Sequence, residues 1–518
     1  MTVTDRSQTS RSAAADLLLT AVAADPWGDV SPAVYDTARL VTLIPELAGH
    51  TGRVDWLCHQ QLPDGSWGAP DGYALVPTLS ATEAMLTELR RPCSSVSTER
   101  VAAAARRGLA ALRTWLHPGA AFTAPDTIAI EFLVPALIED INAILADPPA
   151  ALGDGHRSRL CCPPGLDPEP LLRLRAAVRA GRDLPPKLWA SLEAFGPGAA
   201  QRAQASGGAI GASASATAAF VGQRPGADRE AARFLAALQA RCGGPVPGVT
   251  PITFFEQSWT LVSFATAGLG HTAPRAILDS LDAALGADGL PAAPGLPSDS
   301  DDTAAALYAL ALHGRVHRPD SLLGYRAEGY FRCFSFERNP SVSTNAHVLE
   351  ALGSYASGRP LERRRYAPDL AAIVRWLFDV QAADGSWLDK WHASAYYATA
   401  CCVLALAAFG GPGCAPAVER ASRWVLGSQR EDGSWGRWSG TIEETAYAVQ
   451  VLAKAPVPGR EAESAAALAT GCAYLASGDE PSAYPGLWHA KDLYAPIRVV
   501  QAARLAALEL GARQASRV

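Results

Sequence analysis

Charge is scarce in this chain. Of its 518 residues, 45 are Lys or Arg and 51 are Asp or Glu, 19% together, and the formal net charge is −6. Lysine itself occupies four positions, 187, 390, 454 and 491. No stretch gathers Lys and Arg into a basic face, which excludes the electrostatic footprint of a nucleic-acid partner. No apolar run approaches the roughly 20 residues that span a bilayer, so no transmembrane segment is expected. The ten cysteines are scattered, with adjacent pairs at 161–162 and 401–402 and neither Cys-x-x-Cys nor Cys/His finger spacing, which argues against zinc. Adjacent cysteines rarely bridge and no secretory leader is recognisable, so reduced thiols and a cytoplasmic location are expected. Met occurs twice and runs of β-branched residues are rare, leaving little from which a sheet could be built.

Alanine and leucine fill the space. With 49% hydrophobic residues and strong helix formers throughout, the chain reads as all-α, and its length suits two or three domains with large cores. The first ten residues are polar and read as a disordered tail, followed by an apolar helix over 13–24 that Pro26-Trp27-Gly28 breaks. A loop is expected over 153–170 and a flexible Gly/Ala/Ser connection over 196–215. The breaker cluster at 243–251 is the strongest candidate boundary.

Three copies of Gln-x-x-Asp-Gly-Ser-Trp stand at 61–67, 381–387 and 429–435. In each, Asp-Gly makes a turn that wants positive φ at Gly, and the Trp is placed to pack across to a neighbouring helix. The Gln can bond backbone groups freed at the start of the next helix. Repeats at fixed internal spacing, with helices between, imply a stacked or circular array of helix pairs held by structural clamps.

The densest chemistry lies at Asp299, Asp301 and Asp302, three carboxylates within four positions. An Ala/Leu run over 304–312 follows, with Pro297 and Ser298 as the approach and cap of its helix. Acids on a first turn are commonly just a solvated helix start. Three such groups in an apolar pocket would behave otherwise, because they cannot all ionise and one keeps its proton.

The Asp-x-Asp-Asp-Thr-Ala segment, the three Gln/Trp repeats and Tyr35-Asp36-Thr37-Ala38, four residues after Ser31, together resemble the class II terpene cyclases along nearly the whole chain. The resemblance implies two (α/α) barrel domains, called β and γ in that family, with γ inserted after the first helix of β. Residues 1–25 would carry the tail and that helix, 26–245 would form γ, and 246–518 would complete β. No class I α domain is expected, and neither Asp-Asp-x-x-Asp nor Asn/Asp-Asp-x-x-Ser-x-x-x-Glu occurs.

By the same resemblance, Asp301 would protonate an alkene, with Asp299 and Asp302 as partners and Asn345 bonding the acid. Carbocations call for π faces, and Trp259, Tyr308, Trp391, Tyr397, Trp438, Tyr447 and Trp488 are the candidates, each by itself readable as core packing. Lys390, in an Asp-Lys-Trp segment, and Lys491 and Arg498 are expected to bind a diphosphate. Asp126 and Glu131 remain of an acidic motif that would hold Mg²⁺ beside it. Plant ent-copalyl synthases hold their terminating water with a His/Asn pair. The matching positions here are Ala190 and Gly248, so that pair is absent.

The expected reaction is cyclisation of geranylgeranyl diphosphate to a bicyclic copalyl or labdane-type diphosphate, the diphosphate being kept. Farnesyl diphosphate going to drimenyl diphosphate is the alternative. A more distant one is a non-catalytic helical toroid that binds a lipid or a protein partner. Triterpene cyclases share the aspartate segment but not the lysines, and a glycosidase would want its acids on separate elements across a cleft. Nothing in the residues sets an oligomeric state.

Overall fold

The computed structural model describes residues 3–91, 96–117, 119–153, 158–224, 226, 228–335, 337, 339–478 and 484–516, with side chains from residue 8 onward. The first helix, α1, runs Val3–Ala24, so the polar N-terminus is helical from Val3 where a disordered tail was expected. The segment contains no Gly or Pro to stop a helix. Its apolar side chains Ala15, Leu19 and Val22 are buried, and Arg11 pairs with Glu509 at 2.9 Å.

Eight further helices follow: α2 (Val34–Leu43), α3 (His50–Gln60), α4 (Leu75–Glu88), α5 (Thr98–Trp115), α6 (Ile130–Ala146), α7 (Glu169–Arg179), α8 (Ala214–Gln223) and α9 (Arg229–Arg241). Helices α2, α4, α6 and α8, together with a 3₁₀ segment at Pro186–Phe195, pack side by side into a small closed ring, with α3, α5, α7 and α9 outside it. The connection over 196–215 is ordered rather than flexible. Ala199, Ala200, Ile210 and Ala212 are buried, and a side chain on Gly211, whose φ is +55°, would collide with the Ala190 backbone at 2.6 Å. The loop expected over 153–170 lies partly outside the described residues.

The larger ring uses α10 (Thr253–Ala267), α11 (Arg275–Ala284), α12 (Ser300–Leu312), α13 (Val342–Ala356), α14 (Pro360–Asp379), α15 (Ala395–Phe409), α16 (Ala415–Gly427), α17 (Ile442–Lys454), α18 (Glu461–Ser477) and α19 (Ile497–Ala515). Helices α10, α12, α13, α15, α17 and α19 each pack on the next, and α19 returns to α10, which closes an inner ring of six. These inner helices are apolar on most sides, as helices covered by neighbours must be. Helices α11, α14, α16 and α18 lie outside, and α1 fills the outer place between α19 and α10. The architecture is therefore all-α with two α-barrels, the N-terminal helix belonging to the larger one. Hydrophobic side chains gather into separate cores within the two rings. Among the described residues, no helix is long and apolar enough to cross a membrane.

The three repeats form near-identical clamps. Trp67, Trp387 and Trp435 are fully buried, and their indole N–H groups donate to Leu57, Leu377 and Val425 carbonyls at 2.7, 2.8 and 2.8 Å. The Gln61, Gln381 and Gln429 amides each donate to the carbonyl of their own loop glycine. They donate also to Ala104 in α5, Ala417 in α16 and Ala467 in α18, at 2.9–3.0 Å. Successive outer helices are thereby tied together, α3 to α5, α14 to α16 and α16 to α18. Gly65, Gly385 and Gly433 have φ of +90°, +98° and +84°, and a side chain there would strike the backbone of the next outer helix.

Candidate active site

The inner helices of the larger ring point their N-termini at the small ring, and a cavity of about 450 Å³ lies between the two. Asp299, Asp301, Asp302, Phe255, Lys390, Trp391, Trp488 and Lys491 line it from the larger ring. Asp126, Glu131, Lys187 and Ala190 line it from the small ring, and Gly248 from the connection between them. A short hairpin, β1 (Trp488–His489) paired with β2 (Leu493–Tyr494), carries Trp488 and Lys491 to this junction.

The acid cluster is built by the start of α12. Asp299, not Ser298, is the cap: its Oδ1 accepts the Asp302 N–H at 2.8 Å. Ser300 fixes the turn from the side, donating through N–H to Cys333 O at 2.9 Å and through Oγ to Arg332 O at 2.8 Å. Asp299 and Asp302 are buried, and Asp302 Oδ1 has no hydrogen-bond partner. Burial, reinforced by the charge of Asp301, pushes the Asp299 carboxyl up to about 7. Burial and the neighbouring charges of Asp299 and Asp301 hold Asp302 well above the usual carboxylate range. Asp299 and Asp302 thus hold on to their protons more tightly than free carboxyls do.

Asp301 meets His347 rather than Asn345. His347 Nδ1 lies 2.7 Å from Asp301 Oδ1, and both side chains are nearly buried. Burial disfavours the imidazolium, but the charge of Asp301 outweighs it and holds His347 well above the ordinary imidazole value. Asn345 is spent on backbone: its Nδ2 donates to Phe331 O and Ser341 O, and its Oδ1 accepts Phe331 N–H. The expected Asn345 contact to the acid is therefore corrected. His347 follows two residues later on the first turns of α13, and nothing in the sequence beyond its nearness to Asn345 marked it.

The aromatic candidates divide into three groups. Trp391 and Trp488 face the cavity with Phe255, and the Phe255 and Trp488 rings meet edge-on at 5.1 Å. Trp259, Tyr308, Tyr397 and Tyr447 line a second cavity of about 420 Å³ inside the larger ring, on the far side of His347. The two groups touch, since Tyr397 packs on Trp488 at 4.6 Å and Trp259 on Phe255 at 4.4 Å, while Trp259 Nε1 donates to Tyr397 Oη at 3.1 Å. Trp438 belongs to neither. Its Nε1 donates to Asp71 Oδ2 at 2.8 Å and its ring packs on Tyr73, so it joins the two rings at their rim. Glu443 is a further buried group that the sequence did not single out, accepting from Trp488 Nε1 at 2.7 Å and Tyr447 Oη at 3.0 Å.

The cations also separate. Lys390 pairs with Glu337, donates to Asn339 O at 3.1 Å and lies over the Trp391 ring at 4.7 Å. Asp389 sets up this segment by capping α13, accepting Val342 N–H at 2.7 Å while its other oxygen accepts Trp391 N–H. Lys491 is buried and donates to Glu193 Oε1 at 2.7 Å, Ser213 Oγ at 2.8 Å and Ser215 Oγ at 2.6 Å. Arg498 is not among the residues that line the cavity. It pairs with Glu256 and Asp25, both at 3.0 Å, which fastens the end of α1 to α10 and α19. Its expected diphosphate role is corrected on that ground.

Asp126 and Glu131 both line the cavity, and Asp126 Oδ2 accepts from Asn339 across the junction at 3.0 Å. Among the described residues no three His, Cys, Asp or Glu side chains gather closely enough to hold a metal by themselves. Two carboxylates on one wall fit an ion that takes most of its oxygens from phosphate and water, as Mg²⁺ does.

Residues 336–501 match the profile of the squalene-hopene cyclase C-terminal domain. Over 501 residues the chain is 44% identical to an ent-copalyl diphosphate synthase of Streptomyces sp. strain KO-3988, covering 96% of this chain and 95% of the relative. It is 42% identical over 513 residues to a copalyl diphosphate synthase of Streptomyces cyslabdanicus, covering 95% and 94%. The solved structure of an ent-copalyl diphosphate synthase from Streptomyces platensis superposes with a TM-score of 0.92 at 52% identity, covering 97% of this chain and 99% of that one.

Proposed function

Since the chain belongs to the class II terpene cyclases of the copalyl diphosphate synthase type, we propose that it cyclises geranylgeranyl diphosphate to a bicyclic copalyl-type diphosphate and leaves the diphosphate in place. One observation carries the reading. Asp301 reaches the cavity with one carboxyl oxygen held by His347, and Lys390 and Lys491 line the same cavity.

Asp301 delivers the proton from the oxygen that His347 does not hold. The terminal alkene of the substrate takes that proton, and the electron pairs of the remaining alkenes close the two rings. As the proton leaves, the imidazolium of His347 stabilises the carboxylate that remains, which strengthens the acid only where strength is needed. Asp299 and Asp302, raised by burial, place less negative charge beside the acid than free carboxylates would. Phe255, Trp391 and Trp488 present π faces to the running cation and keep water from it. Lys390 receives the diphosphate over Trp391, and Lys491, its three N–H groups donated to Glu193, Ser213 and Ser215, adds its positive charge to that wall without a free donor. Mg²⁺, held on the Asp126 and Glu131 wall, would balance the diphosphate charge and so fix the head group. The chain divides functionally into 26–245 as one unit and 1–25 with 246–518 as the other, and the substrate lies between them.

The test is incubation of the protein and Mg²⁺ with geranylgeranyl and farnesyl diphosphates in parallel, then phosphatase treatment and mass spectrometry, with Asp301→Ala alongside. A bicyclic C20 alcohol that the variant does not make supports the reading. A product from farnesyl diphosphate alone moves the substrate to C15, and equal cyclisation by the variant overturns the acid assignment.

A further inference from the structure

The proposed reaction must end by removing a proton from carbon, and the two positions that hold the terminating water in the plant enzymes are Ala190 and Gly248. Both line the cavity, and neither side chain can accept a proton. A carboxylate stands immediately behind Gly248. Asp36, in the Tyr-Asp-Thr-Ala segment of α2, is fully buried, and a Cβ built on Gly248 would lie 3.0 Å from Asp36 Oδ2. Asp36 Oδ1 accepts Ser215 N–H at 3.0 Å, whereas Oδ2 has no hydrogen-bond partner. A buried carboxylate oxygen with no donor is costly to the fold, and one placed against a cavity wall made by glycine has an outlet.

We propose that Asp36 takes the terminating proton, through a water molecule seated over Gly248 between the carboxylate and the bicyclic cation. The inference rests on the cyclase reading above. In the step, a C–H bond next to the cationic carbon breaks and its electron pair becomes the new alkene. The proton passes to the water, which gives one of its own to Asp36 Oδ2, and the neutral Asp36 later returns it to solvent.

The surroundings separate Asp36 from its neighbour Glu193. Glu193 Oε1 already accepts from Lys491, Tyr35 Oη and Ser215 Oγ, so its charge is compensated, and although its Oε2 also lacks a partner it is Asp36 Oδ2 that stands behind Gly248. Besides these, the hairpin brings Asp492, whose Oδ2 accepts the Val34 N–H at 3.2 Å. Burial raises the Asp36 carboxyl to about 6, with Lys491 and the Ser215 bonds pulling it down and Glu193 pushing it up. At that value it is mostly ionised at neutral pH and able to receive a proton.

Asp36→Asn and Gly248→Ala, each incubated with geranylgeranyl diphosphate and Mg²⁺, test the assignment. Asparagine keeps the Ser215 bond but cannot take the proton, and an alanine methyl at 248, 3.0 Å from Asp36 Oδ2, fills the space the water needs against the carboxylate. Gly248→Ala, which removes the water, lowers olefin formation by at least tenfold. In Asp36→Asn the water stays but has no base behind it, so it adds to the cation and its proton passes to solvent, and the product moves from olefin toward hydroxylated diphosphate by at least tenfold. The parent shows the same drift as pH falls through about 6. An unchanged olefin yield in Gly248→Ala, or an unchanged olefin-to-alcohol ratio in a folded Asp36→Asn across that pH range, overturns the assignment while leaving the cyclase reading intact. A parent protein that consumes no prenyl diphosphate removes both.

Discussion

A carboxylic acid in water is too weak to protonate an isolated alkene, so the proposed chemistry depends on what surrounds Asp301. His347 supplies a cation at 2.7 Å from one oxygen, and Asp299 and Asp302 supply buried carboxyls held above the usual carboxylate range. The cluster must hold its proton to work. Asp299 keeps its proton below about 7 and loses it above, adding negative charge beside the acid, so turnover should persist at low pH and fall as pH rises. The kcat/KM profile should decline by about tenfold per unit on the alkaline side. Replacing His347 with Ala should cost roughly 10²–10⁴ in rate and move the alkaline limb to higher pH, because a proton leaves less readily once the cation is gone. An unchanged limb in that variant would detach His347 from the acid. The three aspartates were legible from their spacing and their family resemblance. The histidine was not, because its contact joins the first turns of neighbouring helices 46 residues apart. Asn345, two residues away, carried the motif but faces backbone.

Helices in this protein are tied at their ends as well as packed along their sides. Each clamp buries an indole, bonds its N–H and spends a glutamine amide on the next outer helix. Trp387→Ala should therefore destabilise the larger ring by about 3–5 kcal/mol through the cavity it leaves. Gln381→Ala should cost about 1–3 kcal/mol for two carbonyls left without donors. Chemical denaturation of the two variants checks both, and a Trp387→Ala midpoint equal to the parent's would refute the clamp. The turn chemistry of these repeats could be read directly, since Asp-Gly-Ser-Trp needs positive φ at one residue and a packing partner for another. Which helices they join could not, because the amide acceptors lie 36–43 residues on. The same limit explains the ordered stretch over 196–215. Small residues there read as loose chain, yet they permit the backbone contact between Gly211 and Ala190.

The whole molecule places its cavity where two rings meet, and side chains at that junction serve either the substrate or the union of the rings. Lys390 and Arg498 show the division. Both are cations in aromatic, C-terminal segments and read alike in sequence, but Lys390 lines the cavity while Arg498 joins Asp25 and the fully buried Glu256. Arg498→Ala should lower stability by about 3–5 kcal/mol, the cost of leaving a buried carboxylate unpaired, with KM for the diphosphate unchanged. Lys390→Ala should instead raise KM by about tenfold with little change in melting temperature. The reverse pattern would exchange their roles. The central claim, proton-initiated cyclisation with the diphosphate retained, is tested most directly by running the reaction in D₂O. The account predicts a bicyclic diphosphate with one deuterium on the former terminal alkene carbon that received the proton, and no release of inorganic diphosphate. An unlabelled product, or diphosphate released in step with substrate loss, would contradict it.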